Sequence, residues 1–248
     1  MNEPRLVLSL FPGVGILDRA FEDEGFTIVR GPDLLWGGDV KRFHAPGGVF
    51  NGLIGGPPCQ CFSSLSHLNL SMKKRVQENL IPEFERIVRE AQPAWFVMEN
   101  VRLAPIPEVA GYQVHAALLN NRWLGYEQNR MHRFSFGTRD GLRLCFTSEA
   151  LAPARWARRV LASESARGGR RLEVYNKNGQ PKRSRDLEIG RRPIERLAEL
   201  QGLPRDFFQH TPFTVASMGR LLGNAVPYPM GRELARAVKF ALDGRARR

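Results

Sequence analysis

Several groups of residues in this chain have types and spacings suited to chemistry. The run Leu53-Ile54-Gly55-Gly56-Pro57-Pro58-Cys59-Gln60-Cys61 closes an apolar stretch with two glycines and two prolines, then presents a thiol. Proline has no amide hydrogen for a sheet ladder and holds the residue before it extended, so a strand must stop here. Cys59 is expected in a stiff loop just past a strand end, the edge where open α/β sheets bind ligands. Taken alone, a cysteine is more often a small half-buried apolar residue than a nucleophile. Its company bears on the choice. Glu99, in Met98-Glu99-Asn100-Val101, follows another apolar run and offers a carboxylate past its end; Arg130, in Gln128-Asn129-Arg130-Met131-His132-Arg133, offers a cation. A thiol, a carboxylate and a guanidinium suit covalent catalysis, in which a nucleophile adds and a neighbouring acid relieves the charge that develops.

Other clusters suit binding. Gly13 and Gly15 in Leu10-Phe11-Pro12-Gly13-Val14-Gly15 let a ligand approach the backbone closely, although a plain tight turn needs the same residues. Asp33 stands where a doubly wound sheet often places an acid for a ribose hydroxyl, and Asp39 lies close by; each also fits an ordinary loop aspartate. Cys61 forms a Cys-x-Cys pair with Cys59, but only Cys145 remains as a further thiol and no histidine has finger-like spacing, so no metal site is expected.

These groups need a scaffold that sets strand ends side by side. Residues 5–11, 26–30, 49–56, 94–100 and 133–138 are strand-like, and the stretches around Leu17-Ala20-Phe21 and Leu80-Phe84-Ile87-Val88 carry a helical apolar stripe. The segment 112–124 is predicted helical, as are short segments at 194–203 and 230–242. Strands alternating with helices predict an α/β fold, a mostly parallel sheet covered by helices on both faces. At 248 residues, 42% of them apolar, the chain has enough material for one large domain with a small insertion. Three cysteines form no secreted disulfide framework, no run approaches a membrane span, and the start shows no basic targeting region, so a cytoplasmic setting is expected.

The net charge is +12, which points to a polyanion such as nucleic acid. Its distribution is uneven. Residues 151–192 hold twelve basic residues against four acidic ones, including Arg170 and Arg171 in Arg-Gly-Gly-Arg-Arg, in a glycine- and proline-broken stretch that reads as a basic insertion.

In order along the chain, Phe11-x-Gly13-x-Gly15, Pro58-Cys59-Gln60, Glu99-Asn100-Val101, Gln128-x-Arg130, Leu200-Gln201-Gly202-Leu203-Pro204 and Gly223-Asn224-Ala225-Val226-Pro227 resemble the hallmarks of the cytosine-5 DNA methyltransferases. The resemblance spans nearly the whole chain and implies a Rossmann-like methyltransferase sheet with a small basic target-recognition insertion. It implies a catalytic and cofactor-binding domain over 1–139, a target-recognition region over 140–188 and a segment over 189–248 returning to the catalytic domain. The implied reaction is methyl transfer from S-adenosylmethionine to carbon 5 of a flipped-out cytosine in duplex DNA, through a covalent adduct with Cys59. Glu99 would grip the ring nitrogen 3 and exocyclic amine edge, and Arg130 would help hold the base. Phe11, Gly13, Val14, Gly15, Asp33, Asp39, Pro58 and Asn224 would bind the cofactor, with Asp33 at the ribose and Asp39 at the adenine amine. Gln60, Ser63, Arg170 and Arg171 would contact DNA. No obligate protein partner and no membrane are implied, and a monomer is expected.

The chain departs from the family pattern at three places. Ser9 stands where the family has an aspartate, Gly15-Ile16 replaces a glycine pair, and His132 occupies the position of a second arginine, with Arg133 one residue later. Two other readings fit the same motifs: an RNA cytosine-5 methyltransferase of the same fold, and an inactive nucleic-acid-binding regulator.

Overall fold

The computed structural model describes residues 5–62, 78–146, 157–161 and 192–245. The first four strands are β1 (Leu6–Leu10), β2 (Thr27–Arg30), β3 (Gly52–Gly55) and β4 (Trp95–Asn100). With β5 (Gln113–Asn120) and β7 (Met131–Thr138) they form a six-stranded sheet in the order β2-β1-β3-β4-β7-β5. β1 pairs in parallel with both β2 and β3, and β3 with β4, whereas β7 runs antiparallel to β4. The mostly parallel α/β sheet expected from the alternation is therefore present.

The chain divides into two compact units. The first comprises residues 1–119, 131–147 and 231–248; the second comprises 120–130 and 148–230.

In the first unit, strand alternation sends Leu8, Leu10, Leu53, Phe96 and Met98 into one hydrophobic core. Against them lies α2 (Ile81–Ala91), which buries Ile81, Phe84, Ile87, Val88 and Ala91 at helical spacing and has Pro82 in its first turn, where no amide is missed. Phe84 meets Phe96 edge-on at 5.9 Å. Each such fully buried large side chain stabilises the fold by about 1.5–3 kcal/mol. The opposite face carries α1 (Ile16–Glu22), whose Phe21 stacks on Trp95 at 6.4 Å. A helix formed by Tyr228–Arg245 reaches the same side, where its Gly231 lies so near Ala20 that an added Cβ would stand 2.8 Å from the alanine methyl. Gly52 and Gly137 make room for aromatic rings. A Cβ at Gly52 would come within 2.1 Å of the Trp95 ring, and one at Gly137 within 2.3 Å of Phe96.

Two expectations of local structure are corrected. The segment 112–124 is not a helix: Gln113–Asn120 is the strand β5, and Asn121–Leu124 a 3-10 turn capped by the Asn120 side chain. Its Ala-Ala-Leu-Leu core favours a helix locally, but a place in the sheet beside β7 overrides that preference. Glu99 does not lie past its strand but is the penultimate residue of β4, within the ladder to β7.

The second unit contains the short parallel pair β6 (Gln128–Asn129) and β8 (Ala157–Arg158), and the helices α3 (Ile194–Leu200) and α4 (Val215–Asn224). The Gln128 side chain donates to the Leu200 carbonyl at 2.6 Å and accepts from the Val160 amide at 2.9 Å, so it fastens β6 to the end of α3. The last helix, α5 (Tyr228–Arg245), begins in this unit.

Candidate active site

The loop that follows β3 carries Cys59, and it lies directly against Glu99. β3 and β4 are parallel neighbours, with Gly55 opposite Met98, so both strands deliver their carboxyl ends to one edge. Asn100 Nδ2 donates to the Pro57 carbonyl at 3.1 Å, a buried bond that ties the proline loop to the end of β4. A Cβ on Gly56 would stand 2.8 Å from Glu99 Oε2, which means the glycine is what lets the loop close over this carboxylate. Beyond it a turn closes from the Phe62 amide to the Cys59 carbonyl at 2.9 Å. Cys59 and Pro58 are half-buried and Gln60 is exposed. Ser63, Arg170 and Arg171 lie outside the described residues, as does most of the basic insertion.

Glu99 is 8% exposed, and its Oε1 is hydrogen-bonded to Nδ1 of His132, itself 5% exposed. The antiparallel ladder makes this pairing, since Glu99 faces Phe134 and Asn100 faces Arg133 across β4 and β7. The neighbouring Arg133 turns away and donates to the carbonyls of Arg102, Ala104 and Pro105. Burial pulls its pKa below the ordinary arginine value. In the second unit, the buried Arg130 donates from Nη1 to the Val160 carbonyl and from Nη2 to the Gly223 carbonyl, each at 2.9 Å. Gly223 precedes Asn224, the exposed last residue of α4.

A second cluster forms at the ends of β1 and β2. Phe11, Gly13 and Gly15 all have positive φ (57°, 55° and 75°), a strained conformation for phenylalanine and an easy one for glycine. Nothing lies within 4 Å of where a Gly13 Cβ would point, so the loop presents bare backbone. Asp33 holds that loop: it accepts from the Gly13 amide at 2.8 Å and from the Leu35 amide at 2.7 Å. Asp39 caps the next 3-10 turn, Val40–Arg42, by accepting from the Lys41 amide at 3.0 Å. Val14 is half-buried beside them. A glycine-bearing loop with open space at Gly13 and the Asp33 carboxylate bonded to it fits a ligand that carries hydroxyl donors, and the Asp39 carboxylate follows six residues after Asp33.

Beneath the loop, Ser9 donates to the buried Asp18 at 2.5 Å, and Arg30 Nε reaches the other oxygen of Asp18 at 3.0 Å. Burial pushes the Asp18 carboxyl above its usual range, opposed by these two bonds. Burial likewise raises the Cys61 thiol.

The C-5 cytosine-specific DNA methylase family matches residues 38–104, the stretch that holds Asp39, Cys59 and Glu99. The chain is 29% identical over 175 residues to the type II methyltransferase M.NgoPII of Neisseria gonorrhoeae, covering 58% of this chain and 51% of that protein. Over these stretches the chain is similar to the C-5 cytosine-specific DNA methylases. Along nearly its whole length it is also similar to another type II methyltransferase, M.HgiDI of Herpetosiphon aurantiacus, at 28% identity over 303 residues, covering 95% of this chain and 94% of that protein. It thus spans about half the length of the first relative and nearly all of the second. Among solved structures, the S. pombe Dnmt2 methyltransferase shares the fold with a TM-score of 0.61 at 12% identity, covering 96% of this chain and 98% of that one.

Two features of the site escaped the motifs. The Glu99–His132 bond joins residues 33 apart in sequence, and only the replacement of an expected arginine by His132 marked the place. Trp36, 63% exposed, donates from Nε1 to the Gly13 carbonyl at 2.7 Å; a tryptophan three residues after Asp33 was its only signal.

Proposed function

We propose that the protein methylates carbon 5 of a flipped-out cytosine in a specific duplex DNA sequence, with Cys59 as the covalent nucleophile. The observation that carries this reading is the closure of the Cys59 loop over Glu99, made possible by Gly56 and fastened by Asn100. Carbon 5 of cytosine is a weak nucleophile. Addition of the Cys59 thiolate to carbon 6 moves electrons onto nitrogen 3 and leaves carbon 5 enamine-like, splitting one difficult step into two. Glu99 is the group suited to supply nitrogen 3 with a proton and to accept from the exocyclic amine. A base inside a duplex cannot reach a residue seated in a loop, so it must rotate out of the stack.

S-adenosylmethionine is the methyl donor this chemistry requires, and it would supply the electrophilic methyl carbon. Phe11 would stack near its adenine, Gly13 and Gly15 would admit its methionine end, Asp33 would hold the ribose and Asp39 the adenine amine, and Val14, Pro58 and Asn224 would bind it as well. Asp33 retains lone pairs beyond its two amide bonds, so holding the loop and holding a hydroxyl are compatible. Arg130, bonded to the Gly223 carbonyl, supports the segment that presents Asn224. Gln60 and Ser63 would follow the displaced base, and Arg170 and Arg171 would hold the DNA.

The division of labour we favour is a catalytic domain over 1–139, target recognition over 140–188 and a returning segment over 189–248. Bisulfite sequencing of DNA and of tRNA from cells expressing the protein tests the reading. Conversion-resistant cytosines at one DNA sequence are expected, and modification confined to tRNA would overturn the DNA assignment.

A further inference from the structure

We infer that His132 is a positioning residue that stores the proton Glu99 delivers to the cytosine ring; this rests on the function proposed above. The two side chains are hydrogen-bonded and nearly closed to solvent, on adjacent antiparallel strands. Glu99 can act as an acid only when its carboxyl carries a proton. An arginine beside it would keep the carboxylate ionised, because a guanidinium gives up no proton under working conditions. Histidine differs, since an imidazolium next to a carboxylate exchanges a proton with it readily near neutral pH.

The proton balance closes. Before addition the pair holds the imidazolium and the carboxylate. The proton on Nδ1 passes to Glu99 Oε1, leaving a neutral imidazole and a carboxylic acid. As the Cys59 Sγ–carbon 6 bond forms, the carbon 5–carbon 6 π pair moves towards carbon 4, and nitrogen 3 takes the proton from Glu99. Carbon 5 then takes the methyl group as the methyl–sulfonium bond of S-adenosylmethionine breaks, a water molecule takes the proton from carbon 5, and the pair left behind expels the Cys59 thiolate from carbon 6 and restores the ring double bond. The proton on nitrogen 3 then returns through Glu99 to His132.

On β7, Phe134 stacks on the His132 ring at 6.5 Å, and Arg133 is held by three backbone carbonyls. Among the described residues, the other titratable or charged groups on the adjoining elements are Cys59 and Cys61 on the loop after β3, Arg102 after β4, Arg130 just before β7 and His115 on β5.

The test compares the wild type with His132→Arg and His132→Gln in single-turnover methylation of duplex DNA from about pH 6 to about pH 9, since general acid help of this kind is worth roughly 10²-fold or more. Both variants should lose at least about tenfold at the acid end, with the gap shrinking to within about threefold at the alkaline end, as expected when the stored proton is lost from the wild type too. A ratio independent of pH overturns the inference. Histidine NMR titration supplies a readout that needs no turnover. The resonance absent from the His132→Gln spectrum should titrate at lower pH in Glu99→Gln, and an unmoved midpoint overturns proton sharing. A wild type that transfers no methyl group while the midpoint still moves would defeat the functional reading and the relay, but leave the shared proton standing.

Discussion

Gly56→Ala adds one methyl group at the point where the nucleophile loop rests on Glu99. The new carbon would lie 2.8 Å from Oε2, against 3.4 Å or more for ordinary contact, so the carboxylate must retreat by roughly 0.6 Å or the loop must lift. Glu99 is not free to swing, because Oε1 is bonded to His132. Breaking a hydrogen bond to a charged group costs about 1.5–3 kcal/mol. A displacement approaching 1 Å in a catalytic group lowers turnover by up to about 10²-fold. The fold should suffer little: Gly56 does not have the positive φ that would strain an alanine, and replacing glycine narrows the unfolded ensemble, an effect worth about 0.4–1 kcal/mol in favour of folding. The variant should therefore fall roughly 10- to 100-fold in kcat while its melting temperature stays within a few degrees of wild type. Gly52→Ala is the contrast, since its methyl would enter the Trp95 ring at 2.1 Å and should unfold the sheet. Methyl transfer from labelled S-adenosylmethionine and thermal melts on the same samples decide the matter. Gly56→Ala with wild-type turnover would refute the claim that the loop is seated on the catalytic carboxylate.

Further outcomes follow from the same geometry. Cys59→Ser should abolish methyl transfer yet retain duplex binding, whereas Cys61→Ser should matter far less, since burial keeps the Cys61 thiol protonated; near-normal turnover by the first variant contradicts the assignment. S-adenosylmethionine should raise the melting temperature, and Asp39→Ala should shrink that shift; an equal shift in both proteins would place the cofactor elsewhere. Asp18 is raised above its unfolded value of 3.8, so it favours the fold when protonated and loses that contribution as pH rises through the raised value. Ser9→Ala removes a bond that opposes the shift, so it should destabilise by about 1.5–3 kcal/mol near neutrality and by less at about pH 4, and equal costs at both pH values in urea denaturation would contradict this. Replacing Arg170 and Arg171 by alanine should flatten the salt dependence of DNA binding by about one to two units with the methylated site unchanged, and an unaltered slope with a relaxed site would show that these arginines read bases instead.

The parts of the fold that were legible in the sequence are those whose signal is local. β1, β3 and β4 are short apolar runs ending in glycine, proline or polar residues, and α2 repeats its buried residues at helical spacing. β5 was not legible, because alanine and leucine favour a helix and only the pairing partner decides otherwise. α4 was also not announced: glycines at 219 and 223 dilute its stripe, and its start is fixed by a Thr214 cap. The candidate site divides in the same way. Proline-flanked Cys59 and the positive-φ glycines are local features and could be read directly. The Glu99–His132 bond and the hold of Arg130 on Gly223 join residues 33 and 93 apart in sequence and exist only once the chain has folded.

The central claim is that Cys59 forms a bond to carbon 6 of cytosine. A duplex carrying 5-fluorocytosine tests it most directly, since fluorine at carbon 5 cannot leave as a proton does and the adduct is trapped after methyl transfer. The protein should be incubated with this duplex and S-adenosylmethionine, denatured, digested and read by mass spectrometry. The account predicts a denaturant-stable adduct, dependent on S-adenosylmethionine, on the peptide containing Cys59 and absent from Cys59→Ser. An adduct on Cys61, or one that survives in Cys59→Ser, would contradict it.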